Sequence, residues 1–355
     1  MSSSSLISQL VRSHLRSVSG YRPGSQPPPG SPVLKLNTNE NPYPPSPRVL
    51  EALHHLDAEH LRRYPDASAQ IFREAAGHLH QVDPDWVIVG NGSDHLLSLI
   101  MAAFVDAGDR LVYPWPTYAL YPTLADLQGA QKQAVPFPKT FDLPVQALLQ
   151  ARGKVTLVAA PASPSGTAIA LADLEQLAQR VSGLLVIDEA YGDFAPSSAL
   201  ALVRASERVV LLRTLSKGYS LAGLRLGYAI AQPPVIQALN QVKDSYSLDA
   251  IATLLGTAAI QDQDHLGRNV EKVRRSRQWL AQQLQRLGCQ VWPSVTNFLL
   301  VRPPVDAEQL MLDLKARDIY VRYFALPDLE DKLRITVGTD AQNALLCGVL
   351  ADLIS

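Results

Sequence analysis

Five short apolar runs separated by amphipathic stretches constrain the fold of this chain more than any other feature of its sequence. The runs are Trp86–Val89, Arg110–Tyr113, Val155–Ala160, Leu184–Ile187 and Val209–Leu212. Continuous apolar runs of this length are typical of strands that are buried on both faces of a sheet. The stretches between them have helical spacing over Asp94–Val105, Tyr118–Gln128 and Ala172–Val181. The alternation predicts βαβ units around a mostly parallel sheet, which is an α/β fold.

The pattern changes beyond residue 245, where a smaller α+β unit is predicted. Its helices are expected at Gln263–Leu287, Ala307–Arg317 and Ala341–Leu353, and its strands at Asn297–Val301 and Leu333–Val337. Near the other end, residues 20–32 contain five prolines and three glycines, which excludes regular structure there. A helix is predicted after this segment, over Arg48–His60. We therefore expect an N-terminal arm (1–36), a large α/β domain (37–244) and a small C-terminal α+β domain (245–355).

Charge and hydropathy exclude several classes of protein. The 355 residues include 32 Lys and Arg against 33 Asp and Glu, and this balance gives no general attraction to nucleic acid or to an acidic membrane. The longest apolar stretch, near residues 96–105, is too short for a membrane span. The two cysteines, Cys289 and Cys347, form no CxxC pair, so neither a disulfide framework nor a metal centre is expected. Such sparse use of cysteine fits the reducing cytoplasm.

The N-terminal segment has two interpretations. Residues 1–39 contain no Asp or Glu, are rich in serine and carry the cations Arg12, Arg16, Arg22 and Lys35. This composition is found in transit peptides. No uninterrupted apolar core of the secretory type is present. From composition alone, the segment is either a transit peptide or an arm of the mature protein.

Two of the predicted strands are followed by residues that could take part in catalysis. Leu184–Ile187 is followed by Asp188, and Val209–Leu212 is followed within five residues by Lys217. Ligands of open α/β sheets bind outside the carboxyl ends of the strands. A lysine at such a place is desolvated, which lowers its pKa and makes its amine a nucleophile for a carbonyl carbon. The alternatives are the start of a solvated loop for Asp188 and an ordinary surface turn for Lys217.

A third strand end offers a site for an anion. Gly90–Asp94 joins a predicted strand to a helix, and the first N–H groups of a helix are free to bind an anion. The segment is not a dinucleotide fingerprint, because His95 stands where the third glycine would be. Thr214, Ser216 and Arg225 could add hydroxyl and guanidinium contacts to a phosphate. Together, the three strand ends suit one ligand that carries a phosphate, a reactive carbonyl and a cationic group. Pyridoxal 5′-phosphate has all three.

Nine short motifs, in order along the chain, resemble those of the fold-type I pyridoxal-phosphate enzymes and, within them, the histidinol-phosphate aminotransferases. They are Gly20-Tyr21-Arg22-Pro23-Gly24, Leu36–Pro42, Arg63-Tyr64-Pro65-Asp66, Gly90–Asp94, Pro116-Thr117-Tyr118, Asp188–Tyr191, Thr214–Lys217, Leu221–Arg225 and Leu333–Thr339. Each motif is weak alone, but their combination and order are specific. The resemblance implies the type I PLP-transferase fold. It also implies a folded chain that starts just before Tyr21, so the N-terminal segment is expected to be a mature arm.

The resemblance implies a role for each matching residue. Lys217 would form a Schiff base with the cofactor and then move protons, Asp188 would keep the ring nitrogen protonated, and Tyr191 would hydrogen-bond the ring hydroxyl oxygen. Further cofactor contacts would come from Ser93, Asp94, Tyr118, Ser163, Thr214, Ser216 and Arg225. Tyr64 would reach the cofactor phosphate of a neighbouring subunit, which implies a homodimer with shared active sites. The substrate would contact Tyr21, Tyr246, Arg322 and Arg334.

One matched position departs from the family pattern. The family commonly has Asn-Pro-Thr-Gly where this chain has Ser163-Pro164-Ser165-Gly166. Ser163 therefore replaces the asparagine that would touch the ring hydroxyl oxygen, and its shorter side chain would reach that oxygen only through water. We expect the change to alter cofactor affinity or the pKa of the Schiff base without abolishing the chemistry.

The implied reaction is amino transfer from L-histidinol phosphate to 2-oxoglutarate, giving imidazole-acetol phosphate and L-glutamate, as in histidine biosynthesis. An aromatic amino-acid aminotransferase is an alternative, because the same pocket would take a flat ring. A threonine-phosphate decarboxylase is another, because it would share nearly every cofactor residue. A cofactor-sensing domain attached to a DNA-binding module is disfavoured by the short arm. An NAD-dependent oxidoreductase is disfavoured by the missing third glycine.

Overall fold

A seven-stranded sheet forms the centre of the computed structural model, which describes residues 6–16, 18, 20, 25–28 and 30–354. The strands in these residues are β1 (Leu34–Lys35), β2 (Val87–Asn91), β3 (Arg110–Trp115), β4 (Gln131–Pro136), β5 (Val155–Ala159), β6 (Leu184–Asp188), β7 (Val209–Thr214), β8 (Leu226–Ile230), β9 (Gln290–Val291), β10 (Phe298–Arg302), β11 (Ile319–Tyr320), β12 (Arg322–Tyr323) and β13 (Leu333–Thr336). The central sheet has the order β2-β8-β7-β6-β5-β3-β4. Strand β8 runs antiparallel to both of its neighbours, and the other strands run parallel.

Helices cover both faces of this sheet. The described helices are α1 (Leu6–Leu10), α2 (Pro47–His54), α3 (Ala58–Arg62), α4 (Gln70–His80), α5 (Ser93–Phe104), α6 (Leu120–Gln128), α7 (Val145–Gln150), α8 (Leu171–Arg180), α9 (Leu200–Ala205), α10 (Pro233–Val242), α11 (Ala250–Ile260), α12 (Gln263–Arg286), α13 (Ala307–Ala316) and α14 (Asp340–Ile354). Side chains of α5, α6 and α10 pack on one face of the sheet, and those of α4, α7, α8, α9 and α11 pack on the other.

The alternation of side chains along each central strand explains the continuous apolar runs of the sequence. In β6, Leu185 and Ile187 enter the core beneath α8 and α9, whereas Leu184 and Val186 enter the core beneath α5 and α6. Strand β7 divides its residues between the two cores in the same way. Because both faces are covered, every position must be apolar until the strand reaches its carboxyl end.

A second, antiparallel sheet of four strands has the order β12-β13-β10-β9. Its core contains Leu299 and Ile335 from the strands together with Leu280 of α12, Leu310 of α13 and Leu346 of α14. The N-terminal strand β1 pairs in parallel with β11. The segment that follows β1, residues 36–39, therefore lies at the edge of this second unit.

The fold class expected from the sequence is confirmed, with corrections in detail. The single helix predicted over Arg48–His60 is wrong: α2 ends at His54, and the side chain of Asp57 accepts the N–H of His60 at 3.1 Å and so starts α3. Strands β4 and β8 were not predicted. The domain boundary at residue 244 stays a prediction, although α11 lies beyond it and packs on α2 and α4 of the large unit.

The described part of the chain, residues 6–16, 18, 20, 25–28 and 30–354, bears on membranes and metals as follows. No helix there is long and apolar enough to cross a bilayer. No group of three or more His, Cys, Asp or Glu side chains in those same residues is arranged to hold a metal ion.

Candidate active site

A cavity of about 230 Å³ lies where the carboxyl ends of the parallel strands face the second sheet. Its walls come from the segments that follow β2, β3, β5, β6 and β7, as is usual for ligand sites of open α/β sheets. Twelve of the fifteen site residues expected from the sequence line it. They are Ser93, Asp94, Tyr118, Ser163, Asp188, Tyr191, Thr214, Ser216, Lys217, Arg225, Arg322 and Arg334.

Lys217 places a buried amine at the floor of the cavity. The residue follows β7, and its Nζ donates a hydrogen bond to the carbonyl oxygen of Thr38 at 3.1 Å. Burial, with a further contribution from the Arg334 guanidinium, lowers the pKa of this amine to about 8. Near neutral pH this amine is therefore neutral much more often than an exposed lysine, and the neutral form is the one that attacks a carbonyl carbon.

Asp188 places a buried carboxylate at the end of β6. Its Oδ2 accepts the hydroxyl proton of Tyr121 at 2.8 Å, and its Oδ1 accepts the N–H of Ala190 at 3.0 Å. Burial raises the pKa of this carboxyl group to about 6 despite both hydrogen bonds. Among the described residues, no cation lies within ion-pair distance of it. A buried carboxylate that has no cationic partner is suited to bind a cationic ligand group.

The start of α5 and the loop after β7 form one polar corner of the cavity. Helix α5 begins at Ser93, and the preceding Gly92 has a φ of +83°. This positive φ favours glycine, and a Cβ atom on Gly92 would also lie 2.8 Å from an Nη atom of Arg225. The hydroxyls of Thr214 and Ser216 are 3.0 Å apart on the facing loop. Free helix N–H groups, two hydroxyls and a guanidinium together suit a phosphate.

Tyrosine and asparagine side chains shape the wall between these groups. The amide of Asn39 donates to the Tyr191 hydroxyl oxygen at 2.8 Å, which leaves the hydroxyl proton of Tyr191 for another acceptor. The ring of Tyr191 packs edge-on against Phe298, with the centroids 5.0 Å apart. On the opposite side, the Tyr118 hydroxyl donates to Asp94 at 3.1 Å. Buried Ser163 also faces the cavity.

Two arginines on adjacent strands form the rim nearest the second sheet. Arg322 of β12 and Arg334 of β13 are directly paired across the antiparallel strands. Both guanidinium groups pack on the ring of Phe324, at 5.2 and 5.4 Å from its centroid. Two guanidinium groups side by side at the rim of a cavity suit an anionic ligand group.

Three site residues expected from the sequence do not line this cavity. Tyr21 lies outside the described residues. Tyr64 and Tyr246 stack on one another at the surface, with their ring centroids 4.5 Å apart, and 81% of Tyr64 is exposed. Their expected roles stay predictions.

The sequence reasoning missed several lining residues and contacts. Tyr121 was not singled out, although it follows Tyr118 by only three residues. Asn39 lies within the Leu36–Pro42 motif, but its contact with Tyr191 joins residues that are far apart in the chain. Phe324 follows Arg322 by two residues and so falls on the same side of an extended segment.

Comparison with known proteins agrees with this geometry. The model of the family "Aminotransferase class I and II" matches residues 31–350. Histidinol-phosphate aminotransferase 1 of Trichormus variabilis is 52% identical over 344 residues, which cover 97% of this chain and 98% of that protein. The histidinol-phosphate aminotransferase of Geotalea daltonii is 44% identical, with 94% and 96% covered. This chain belongs to the class I and II aminotransferases.

Solved structures place the aminotransferase among proteins of the same architecture. The histidinol-phosphate aminotransferase of Sinorhizobium meliloti, solved in complex with pyridoxal 5′-phosphate, has a TM-score of 0.85 at 27% identity, and the match covers 91% of this chain and 90% of that one. The histidinol-phosphate aminotransferase of Clostridium acetobutylicum reaches the same TM-score at 18% identity, a likeness of fold alone. The cavity described above is thus the candidate active site of an aminotransferase.

Proposed function

We propose that this aminotransferase uses pyridoxal 5′-phosphate to move the amino group of L-histidinol phosphate to 2-oxoglutarate, a step of histidine biosynthesis. The observation that carries the proposal is the cross-strand pair Arg322 and Arg334, which lines the same cavity as Lys217 and Asp188. An amine-bearing substrate with a phosphate at its other end fits that spacing of charges. The relatives at 52% and 44% identity, both named for this reaction, support it.

The residues present fit the cofactor. The carboxylate of Asp188 is buried without a cation among the described residues, as a partner of a protonated pyridine nitrogen would be. Arg225 together with the start of α5 suits the cofactor phosphate, and the amine of Lys217 suits its aldehyde. When bound, the cofactor supplies an electron sink for the electrons released when the substrate Cα loses its proton.

The chain's own residues would position and move protons. Lys217 Nζ, released when the substrate amine takes its place, would take the proton from the substrate Cα and return it to C4′ of the cofactor. Asp188 would hold the ring proton by charge pairing, and Tyr121 would fix the orientation of that carboxylate. The free hydroxyl proton of Tyr191 would be donated to the ring hydroxyl oxygen. Ser163 would approach that oxygen as well, with less reach than an asparagine.

The arginine pair would serve both half-reactions. Arg322 and Arg334 would bind the phosphate of histidinol phosphate first and a carboxylate of 2-oxoglutarate second. Phe324 packs under both guanidiniums and so limits their movement between the two substrates. One cationic rim of the cavity that holds Lys217 can thus accept two chemically different anions.

The first test is a half-reaction followed in the visible spectrum. L-histidinol phosphate is added to the purified yellow protein without an acceptor. We expect loss of the visible cofactor band and its return on addition of 2-oxoglutarate. Conversion by phenylalanine or tyrosine but not by histidinol phosphate would indicate the aromatic alternative. Release of carbon dioxide from threonine phosphate would indicate decarboxylation, and a protein that takes up no cofactor would contradict the proposal.

The arginine pair gives a second test of substrate class. Replacing Arg322 by glutamine is expected to raise KM for histidinol phosphate by about 10- to 100-fold, because one charged hydrogen-bond donor to the phosphate is lost. In the half-reaction without acceptor, the rate with an amino donor that carries no phosphate and no side-chain carboxylate should change much less. Arg302→Gln, which removes an exposed guanidinium at the end of β10 in the same sheet, is the control and should leave KM unchanged. Equal losses with both amino donors would argue against phosphate recognition.

We further propose that the active unit is a homodimer in which Tyr64 reaches the neighbouring subunit's cofactor. Exposed large apolar side chains concentrate around α2, α3, α4 and the segment after α10. They are Leu50, Leu53, Leu61, Tyr64, Ile71, Val242 and Tyr246. Such a concentration is typical of a protein–protein interface. The stacking of Tyr64 on Tyr246 holds an aromatic pair at that surface.

Shared active sites predict complementation between two defective variants. Lys217→Ala and Tyr64→Ala homodimers are each expected to be nearly inactive. After mixing and subunit exchange, half of the dimers are mixed, and each carries one intact site, so about a quarter of the wild-type activity should return. Mixing Lys217→Ala with Asp188→Asn, whose residues lie in one cavity of one chain, is the control and should restore nothing through Tyr64. Absence of recovery in the first mixture would contradict a shared site.

We place this activity in the cytoplasm. Cys289 and Cys347 are both free thiols, which is the usual state in a reducing compartment.

A further inference from the structure

A buried charge cluster lies next to the end of β6, which carries Asp188, and next to the loop after β7, which carries Lys217. Arg213, the residue before the last of β7, donates to Glu189 at 2.6 Å and to Asp193 at 2.8 Å. The side chains of both carboxylates are almost completely buried, and that of Arg213 is 13% exposed. None of these three residues lines the active-site cavity. The proposed chemistry therefore does not account for them.

Each carboxylate of the cluster also contacts a neighbouring stretch of backbone. Glu189 accepts the N–H of Ala199 at 2.6 Å and the hydroxyl of Ser198 at 2.8 Å. Asp193 lies directly against Gly218, the residue after Lys217. A Cβ atom on Gly218 would lie 2.3 Å from an Asp193 carboxylate oxygen, so the two segments are in close contact. The cluster joins the residue after Asp188 to the residue after Lys217.

The shape of the cluster requires an arginine. One planar guanidinium spans two carboxylates through separate nitrogens, which the single ammonium of a lysine cannot do with the same geometry. Gly192 makes room for it, because a Cβ atom there would lie 2.9 Å from an Arg213 nitrogen. On its other side, Arg213 is paired in register with Tyr228 of β8, whose hydroxyl contacts His80 at 2.8 Å. A buried ion cluster adds little net stability, and its best-attested use is to specify geometry.

We propose that Arg213, acting through Glu189 and Asp193, is a positioning residue that fixes Lys217 relative to Asp188. The inference rests on the proposed function only in giving those two side chains their chemical roles. The largest contributions of charge at the Lys217 amine come from Arg334, Glu40, Asp94 and Arg225. Because Arg213→Lys keeps the positive charge, a change in the behaviour of the Lys217 amine in that variant would report movement of the loop.

The test compares Arg213→Lys with a matched control, Arg73→Lys. Arg73 is 14% exposed, binds Asp85 at 2.7 Å and two backbone carbonyls, and lies on α4 away from the cavity. Both variants keep their charge and lose a bridging guanidinium. The first measurement is acetylation of the Lys217 amine in the cofactor-free full chain as a function of pH, followed by mass spectrometry. The second is kcat and KM of the cofactor-loaded enzyme, and the third is Tm.

We expect Arg213→Lys to admit water to Lys217. Its labelling midpoint should rise by about half a pH unit or more as the desolvation that lowers the pKa is relieved. Its kcat should fall about tenfold or more with KM nearly unchanged, because the reacting groups are misplaced while substrate contacts remain. Arg73→Lys should have a lower Tm than the wild type, with the same labelling midpoint and the same kcat.

The outcomes separate this inference from the proposed function. If Arg213→Lys has a lower Tm, as Arg73→Lys does, but keeps the wild-type labelling midpoint and kcat, the cluster is only structural and the inference is overturned. If the wild-type protein transfers no amino group but Arg213→Lys still moves the midpoint, positioning holds and the function fails. Should Arg213→Lys not fold, Asp193→Asn keeps the side-chain shape and should move the midpoint upward by less. An unchanged midpoint in Asp193→Asn would then overturn the inference.

Discussion

Replacing Lys217 by alanine is expected to lower kcat for amino transfer by about 10⁴-fold or more, because one amine serves both as the group that binds the cofactor aldehyde and as the proton carrier. Its burial lowers its pKa to about 8, so the wild-type amine can lose its proton within the working pH range. The half-reaction with L-histidinol phosphate in a stopped-flow spectrophotometer measures the loss directly.

The same variant should still bind the cofactor without a covalent bond. Asp188, Arg225 and the start of α5 are unchanged, so uptake of the cofactor is expected while borohydride no longer fixes it to the chain. Lys132→Ala is the control, since Lys132 is an exposed partner of Asp126 on β4 and lies away from the cavity. A Lys217→Ala protein that kept more than about a tenth of the wild-type kcat would remove Lys217 from the chemistry.

The strand ends were predictable because they obey local rules. A strand buried on both faces is mostly apolar along its length, so the first charge after an apolar run marks its end, as at Asp188. In a parallel sheet these ends meet at one edge, which brings together residues that are far apart in sequence. Composition and spacing indicated Asp188, Lys217 and the anion corner as candidates, and the structure places all three at one cavity.

Other parts of the site depend on contacts that no local pattern records. Tyr121 binds Asp188 from 67 residues away, and Asn39 binds Tyr191 from 152 residues away. Strand β8 was not predicted. It enters antiparallel between β2 and β7, and nothing in its five residues indicates that direction. Its close fit against the start of α5 is visible only in three dimensions, where a Cβ atom on Gly227 would lie 2.5 Å from the Ser93 nitrogen.

The charges of the site are arranged at a cost to the stability of the cofactor-free protein. Lys217 has its pKa lowered by burial, and Asp188 has its pKa raised by burial. In both cases the folded chain disfavours the charged form. Sites that bind a charged ligand are commonly built in this way, with the ligand offsetting the desolvation.

Asp188→Asn is expected to have opposite effects on the rate of amino transfer and on the stability of the cofactor-free protein. The neutral side chain cannot hold a proton on the ring nitrogen by charge pairing, so kcat should fall by about 10²- to 10³-fold. At the same time, the cofactor-free variant should be more stable than the wild type near pH 7. Tyr121→Phe, which removes the hydrogen bond and keeps the charge, is the comparison and should lower kcat by much less.

The sign and the pH window of the stability gain follow from the raised pKa. Asp188 titrates at about 6 in the folded chain against an ordinary value of 3.8, so between these values the folded chain holds a proton that the unfolded chain has released. The free energy of unfolding therefore falls as the pH rises through this window, by a total of about 3 kcal/mol above it. Asp188→Asn should remove this contribution to the slope, and urea denaturation of the two cofactor-free proteins at pH 4 to 7 measures the difference. Equal slopes in both proteins would show that the Asp188 carboxylate is solvated, which would remove its preference for a cationic ligand group.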